Sequence, residues 1–98
     1  MTAAKTTPIE LTERLFVKYG VQGWVTSYNE HLDGLDGHRG HRCILYHPRT
    51  ANYPAWEIAK LVAHEMAHVL VPDDLDHGPR WHEKMMEILE EFSPRRFI

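Results

Sequence analysis

The apolar positions of the chain follow two periods, and together they lay out its elements. Leu11, Leu15, Phe16 and Tyr19 recur at helical spacing behind Thr7-Pro8-Ile9-Glu10, a capping box with proline at the first helical position. Gly20 offers a stop, so the pattern predicts a helix from about Pro8 to Tyr19. Between Val21 and Asn29 the period falls to two, with Trp24, Thr26 and Tyr28 alternating against Val25 and Ser27, as in a strand. A second strand is expected over Arg42-Cys43-Ile44-Leu45-Tyr46-His47, stopped by Pro48; its shortness makes it a candidate edge strand. The residues between the two carry turn signals at Asp33-Gly34, Asp36-Gly37 and Gly40. They read as a hairpin connection with a polar tip holding His31, His38, Arg39, His41 and Arg42.

The longest apolar stretch is Ala55 to Leu70. Trp56, Ile58, Val62, Met66, Val69 and Leu70 spread around most of a helical wheel, the mark of a buried helix. Pro72-Asp73-Asp74 ends it, and Asp76-His77-Gly78-Pro79 opens a last helix to about Phe92. There Trp81, Met85, Met86, Ile88, Leu89 and Phe92 share one face, with Glu83, Glu87, Glu90 and Glu91 largely opposite. The expected architecture is a single α+β domain over residues 1–98, with residues 1–6 and 94–98 flexible. A short, mostly antiparallel sheet packs on a central helix, and two further helices complete it.

Composition narrows the setting. In 98 residues there is room for one modest core, and a formal net charge of −3 gives no general affinity for polyanions. The imbalance is local: residues 1–50 hold six basic and five acidic side chains, whereas residues 51–98 hold five and nine. One cysteine, Cys43, excludes an internal disulfide framework, and Met1-Thr2-Ala3-Ala4-Lys5 lacks the apolar core of a secretion signal. No apolar run approaches the ~20 residues that span a bilayer. A cytoplasmic protein with no membrane role is expected.

The chemistry sits inside the central helix. His64-Glu65-Met66-Ala67-His68 is a His-Glu-x-x-His motif, and four-residue spacing puts both imidazoles on one helical face with Glu65 one step round. Neutral imidazole is a good Zn²⁺ ligand. Three protein ligands leave a position for water, and the Glu65 carboxylate can take that water's proton. This is the zincin arrangement, with one zinc per chain, His64 and His68 as ligands and Glu65 as base.

Three candidates stand for the third ligand. His77 follows His68 after eight intervening residues, in a turn able to fold back. His82 falls near the middle of the apolar face of the last helix, pointing inward, and Glu87 follows His68 after eighteen residues but points away from that face. An aspartate between Asp73 and Asp76 is a further possibility. Tyr46, His47, Tyr53, Arg80 and His82 are candidates for substrate contact or for stabilising an oxyanion. An edge strand at Arg42–His47 would suit an extended peptide.

The pair of blocks His64-Glu65-Met66-Ala67-His68 and His77-Gly78-Pro79-Arg80-Trp81 resembles the SprT-like metalloproteases, which include the Spartan proteases. The resemblance covers mainly residues 55 to 92. It implies that His77 is the third zinc ligand, that Glu65 is catalytic, that Trp81 packs behind the site, and that the substrate is a protein or peptide. The cysteine-containing zinc module of larger members has no counterpart here, so repair of DNA–protein crosslinks is not carried over. Association with DNA would draw on the His38–Arg42 run and Arg95-Arg96. The alternatives are a zinc-stabilised binding module without turnover, and a gluzincin-type peptidase with Glu87 as third ligand.

Overall fold

The computed structural model of the chain describes residues 6–32, 34–72 and 77–92. Helix α1, Pro8–Lys18, starts as its sequence dictates: Thr7 Oγ1 accepts a hydrogen bond from the Glu10 amide at 3.2 Å, with proline in the first turn. It ends in a Schellman arrangement. The Val21 amide donates to Phe16 O at 2.8 Å and the Gly20 amide to Val17 O at 3.2 Å, while Gly20 takes the left-handed conformation at φ 66°. Leu11, Leu15 and Phe16 are the residues that α1 buries from its apolar stripe.

Strands β1 (Val25–Tyr28), β2 (Gly37–Gly40) and β3 (Cys43–Tyr46) form one sheet in the order β1-β3-β2. β1 runs parallel to β3 in the register Val25↔Cys43 to Tyr28↔Tyr46; β2 runs antiparallel to it, from Gly37↔Tyr46 to Gly40↔Cys43. Two expectations are corrected here. The sheet is mixed, with one parallel and one antiparallel pair, and β3 is its central strand, so the edges are β1 and β2. The cause is a strand inside the stretch read as a loop. Gly37–Gly40 folds back on β3 through His41-Arg42, with Arg42 at φ 54°, and this takes the place that β1 would have filled in a hairpin. β1 pairs with the other side of β3, and the connection makes it parallel.

Helix α2, Ala55–Leu70, matches its predicted span and packs against α1, α3 and β2. Ile58, Val62, Ala63 and Met66 meet Ile44 and Tyr46 of β3, Leu15 of α1, and Ile88 and Leu89 of α3 in one core. Deep in it, Thr12 and Tyr46 share a hydrogen bond of 2.7 Å between hydroxyls, which satisfies both buried polar groups and ties α1 to the sheet. Trp56 is the exception to the all-round apolar wheel of α2. It is 39% exposed and lines an apolar hollow with Leu11, Ala59 and Phe92. Helix α3, Pro79–Glu91, has proline in its first turn and buries Trp81, Ile88 and Leu89, while Met86 faces solvent. A Lys18–Glu91 ion pair joins the ends of α1 and α3. No described helix is long and apolar enough to cross a membrane. Expectations for the flexible ends and for Asp73 to Asp76 fall outside the described residues, Thr6 apart.

Candidate metal centre

Two of the three histidines come from α2. One helical turn apart, His64 and His68 place their ring centroids 5.0 Å from each other. The third comes from the two residues that lead into α3: His77, at φ 58°, sets its ring 5.0 Å from His64 and 4.6 Å from His68. The left-handed conformation is uncommon for a residue with a Cβ, and here it accompanies a side chain turned onto the group. Nε2 of His77 lies 2.9 Å from Nε2 of His68, and one ligand nitrogen from each of the three falls within 4.8 Å of the others. The three histidines are therefore close enough to hold a single metal ion. Among the described residues no other group of histidine, cysteine and acidic side chains has this property, so His31, His38 and His41 form no second centre.

Trp81 closes one side. Its ring lies 5.0 Å, 5.5 Å and 4.4 Å from those of His64, His68 and His77, and its Nε1 donates to the His64 carbonyl at 3.3 Å. That bond fixes the first turn of α3 against the helix that carries the other two histidines.

The electrostatics suit metal ligation. Burial, reinforced by His77, holds the His64 imidazole below its ordinary value. Burial, with His64, His77 and Arg39, pushes His68 down to about 4. Both therefore stay neutral near pH 7, which is the form that ligates. Glu65, only 5% exposed, is driven the other way: burial raises its carboxyl to about 7, against the opposing pull of Arg39. A carboxyl poised near neutrality can both take and return a proton.

The wall opposite α2 is β2. A Cβ added at Gly37 would lie 3.2 Å from Glu65 Oε2, 3.2 Å from Leu61 Cδ1 and 3.3 Å from Tyr46 Cδ1, so glycine is what lets the strand lie against Glu65. Two hollows meet at Gly37, His64 and Glu65. One, of about 250 Å³, continues to Leu35, Arg39, His68 and His77. The other, of about 370 Å³, continues past Asp36, Tyr53, Lys60 and Leu61. Together they make a cleft along β2 with Glu65 at its junction.

The remaining candidates scatter. Tyr53 lines the second hollow, where its hydroxyl donates to Asp36 Oδ1 at 2.9 Å. Tyr46 is fully buried with its hydroxyl on Thr12, so it packs behind Glu65 and cannot meet a substrate. His47 caps the short 3-10 turn Pro48–Asn52, its Nδ1 accepting from the Arg49 amide at 3.1 Å. Arg80 lines a separate hollow between the end of α2 and α3, with Leu70, Val71, Glu83 and Glu87. His82 is exposed, not inward, because the buried face of α3 runs through Trp81, Ile88 and Leu89, and residue 82 stands about 100° round from Trp81. Glu87 is exposed, paired with Lys84, and outside the histidine group.

Sequence reading missed Gly37 and Arg39. Both sit in what looked like a turn-rich loop, and Arg39, counted there as a surface cation, points into the site. The available cue was spacing: two residues, His41-Arg42, between two four-residue segments is a hairpin length.

No protein-family model matches the chain, and comparison with curated proteins and with solved structures gave no match.

Proposed function

We propose that the chain is a zinc-dependent metallopeptidase, a zincin-like domain of SprT type that hydrolyses peptide bonds in a protein or peptide substrate. The observation that carries this reading is the conjunction of three facing histidines with one buried carboxyl, Glu65, at the junction of a cleft. The donor set fits the metal: three imidazoles suit a borderline-soft ion such as Zn²⁺, and three protein ligands are the number found in catalytic zinc sites. When bound, zinc would polarise the scissile carbonyl and acidify a water.

The rest is the work of the chain. Glu65 accepts a proton from the attacking water and delivers it to the leaving amine nitrogen, a transfer its raised pKa favours in both directions. β2 is an edge strand along the cleft, and its free backbone groups can pair with an extended peptide. The rival, a zinc-stabilised binding module, gives no reason to hold a carboxyl 5% exposed beside three histidines.

Elemental analysis of wild type, His77→Ala and Glu65→Gln, with peptidase assays alongside, tests the proposal. One zinc per wild-type chain, lost from His77→Ala, together with a Glu65→Gln variant that keeps zinc and loses activity by about 10³-fold or more, is the expected result. Zinc bound without turnover in the wild type would instead favour the binding module.

A further inference from the structure

Arg39 lies on the face of β2 that looks toward α2, opposite Ile44 in the ladder and two residues beyond Gly37. It lines the same 250 Å³ hollow as His64, Glu65, His68 and His77. Its Nε is buried and has no hydrogen-bond partner. A buried guanidinium N–H left unpaired is costly, and native structures satisfy nearly all such groups. Its charge acts on Glu65 and on His68, yet no described carboxylate forms an ion pair with it. The residue that carries this donor lines the hollow beside Glu65, so its guanidinium is placed to meet an acceptor that arrives with a ligand.

We propose that Arg39 is a catalytic residue that donates a hydrogen bond to the carbonyl oxygen of the scissile peptide and holds the negative charge that develops there. This assignment rests on the peptidase reading. As the water oxygen bonds to the carbonyl carbon, the π pair moves onto the carbonyl oxygen, where the guanidinium neutralises it. The Glu65 carboxylate carries the water's proton to the amine nitrogen as the C–N bond breaks and the pair on oxygen returns. A terminal carboxylate would be the other natural partner of an arginine, but its reader would stand a residue or more away from the base. Arg39 shares one small hollow with Glu65 and all three histidines.

The test compares wild type with Arg39→Met, Arg39→Ala and Arg39→Lys as full chains loaded with zinc. Three readouts are taken: zinc per chain, cleavage of one peptide with either an amidated or a free C-terminus, and calorimetric affinity for a phosphinic peptide, a tetrahedral anionic mimic. The expected result is unchanged zinc, kcat lower by about 10²-fold in Arg39→Met on both peptides, and phosphinic affinity lower by a similar factor, with KM moved by less than about threefold. Arg39→Lys should fall between, and methylguanidine in the buffer should restore part of the rate of Arg39→Ala, which a merely structural role would not allow. Wild-type kcat and phosphinic affinity in Arg39→Met would overturn the assignment. A loss confined to the free-acid peptide would transfer Arg39 to terminal-carboxylate recognition. If Arg39→Met loses zinc or its fold, absence of rescue in both Arg39→Lys and methylguanidine-treated Arg39→Ala overturns the assignment. A wild type that neither cleaves peptide nor binds the phosphinic compound removes the peptidase reading itself, and this one with it.

Discussion

The two walls of the cleft are built on opposite principles. The α2 wall is 16 residues of continuous helix, hydrogen-bonded within itself and sunk into the core along Ile58, Val62 and Met66. The β2 wall is four residues, two of them glycine, paired on one side only. A metal centre needs ligands held in fixed relation, and the helix supplies that for His64 and His68. On the proposed reading an edge that receives a peptide needs unpaired backbone and room beside Glu65, and a thin strand supplies both. Rigidity and access are thus divided between the walls, and substitutions on each should fail differently.

The largest effect belongs to the helix. Met66 is fully buried between the two histidines in sequence, so Met66→Ala should cost about 2–5 kcal/mol of stability through lost contacts and a cavity. Thermal unfolding of the zinc-free chain should show the whole domain weakened. A small change in midpoint there would mean that α2 is not the element on which the fold rests.

Gly37→Ala is the matching test of the other wall and should separate stability from activity. The added methyl meets Glu65 Oε2 and Leu61 at 3.2 Å and Tyr46 at 3.3 Å, tighter than ordinary contact, and Tyr46 is locked by Thr12. Overpacking of this kind costs about 1–3 kcal/mol. Glu65 and Leu61 are the side chains left to give way, so the proposed peptidase activity should fall by about tenfold or more while zinc stays bound. Zinc lost along with activity would mean that the walls are coupled and the contrast between them is false.

The same contrast explains how far the sequence could be read. Helices depend on local signals, and these were present in full: the Thr7 cap, the Gly20 stop, the Pro54 and Pro79 starts. The span of α2 was therefore legible to the residue, whereas the place of Trp81 beside the histidines was implied only by the family resemblance and not by any local signal. Strand pairing depends on partners distant in the chain. Apart from the two-residue spacing, no local signal says that Gly37–Gly40 will lie against β3, because two glycines at its ends read as turns and its turn, His41-Arg42, lacks the asparagine or glycine that usually marks a tight hairpin. Once β2 was missed, the parallel pairing of β1, the central place of β3 and the inward direction of Arg39 were all out of reach. The exposure of His82 was a matter of angle: neighbours on a wheel can straddle the edge of a buried stripe.

The smallest expected effect concerns what pins β2 at its start. Asp36 Oδ1 accepts from Arg49 Nε at 2.9 Å and from the Tyr53 hydroxyl at 2.9 Å, which links the entry of the strand to the 3-10 turn before α2. Burial alone would raise the Asp36 carboxyl, but these hydrogen bonds and the Arg49 charge more than offset it and hold it below its ordinary value. A carboxyl whose folded value is depressed contributes stability above its unfolded value and loses it as pH falls through the folded one. Asp36→Asn keeps an acceptor oxygen and removes only the charge. Wild type should therefore unfold slightly above the variant at pH 6, with the gap closing as the pH is lowered past the ordinary carboxylate range. Because both partners are partly exposed, 1 M salt at pH 6 should shrink the gap as well. A gap that survives both acid and salt would show that the contact works through shape and not charge, and that the β2 wall is held more like the helix than its thin pairing suggests.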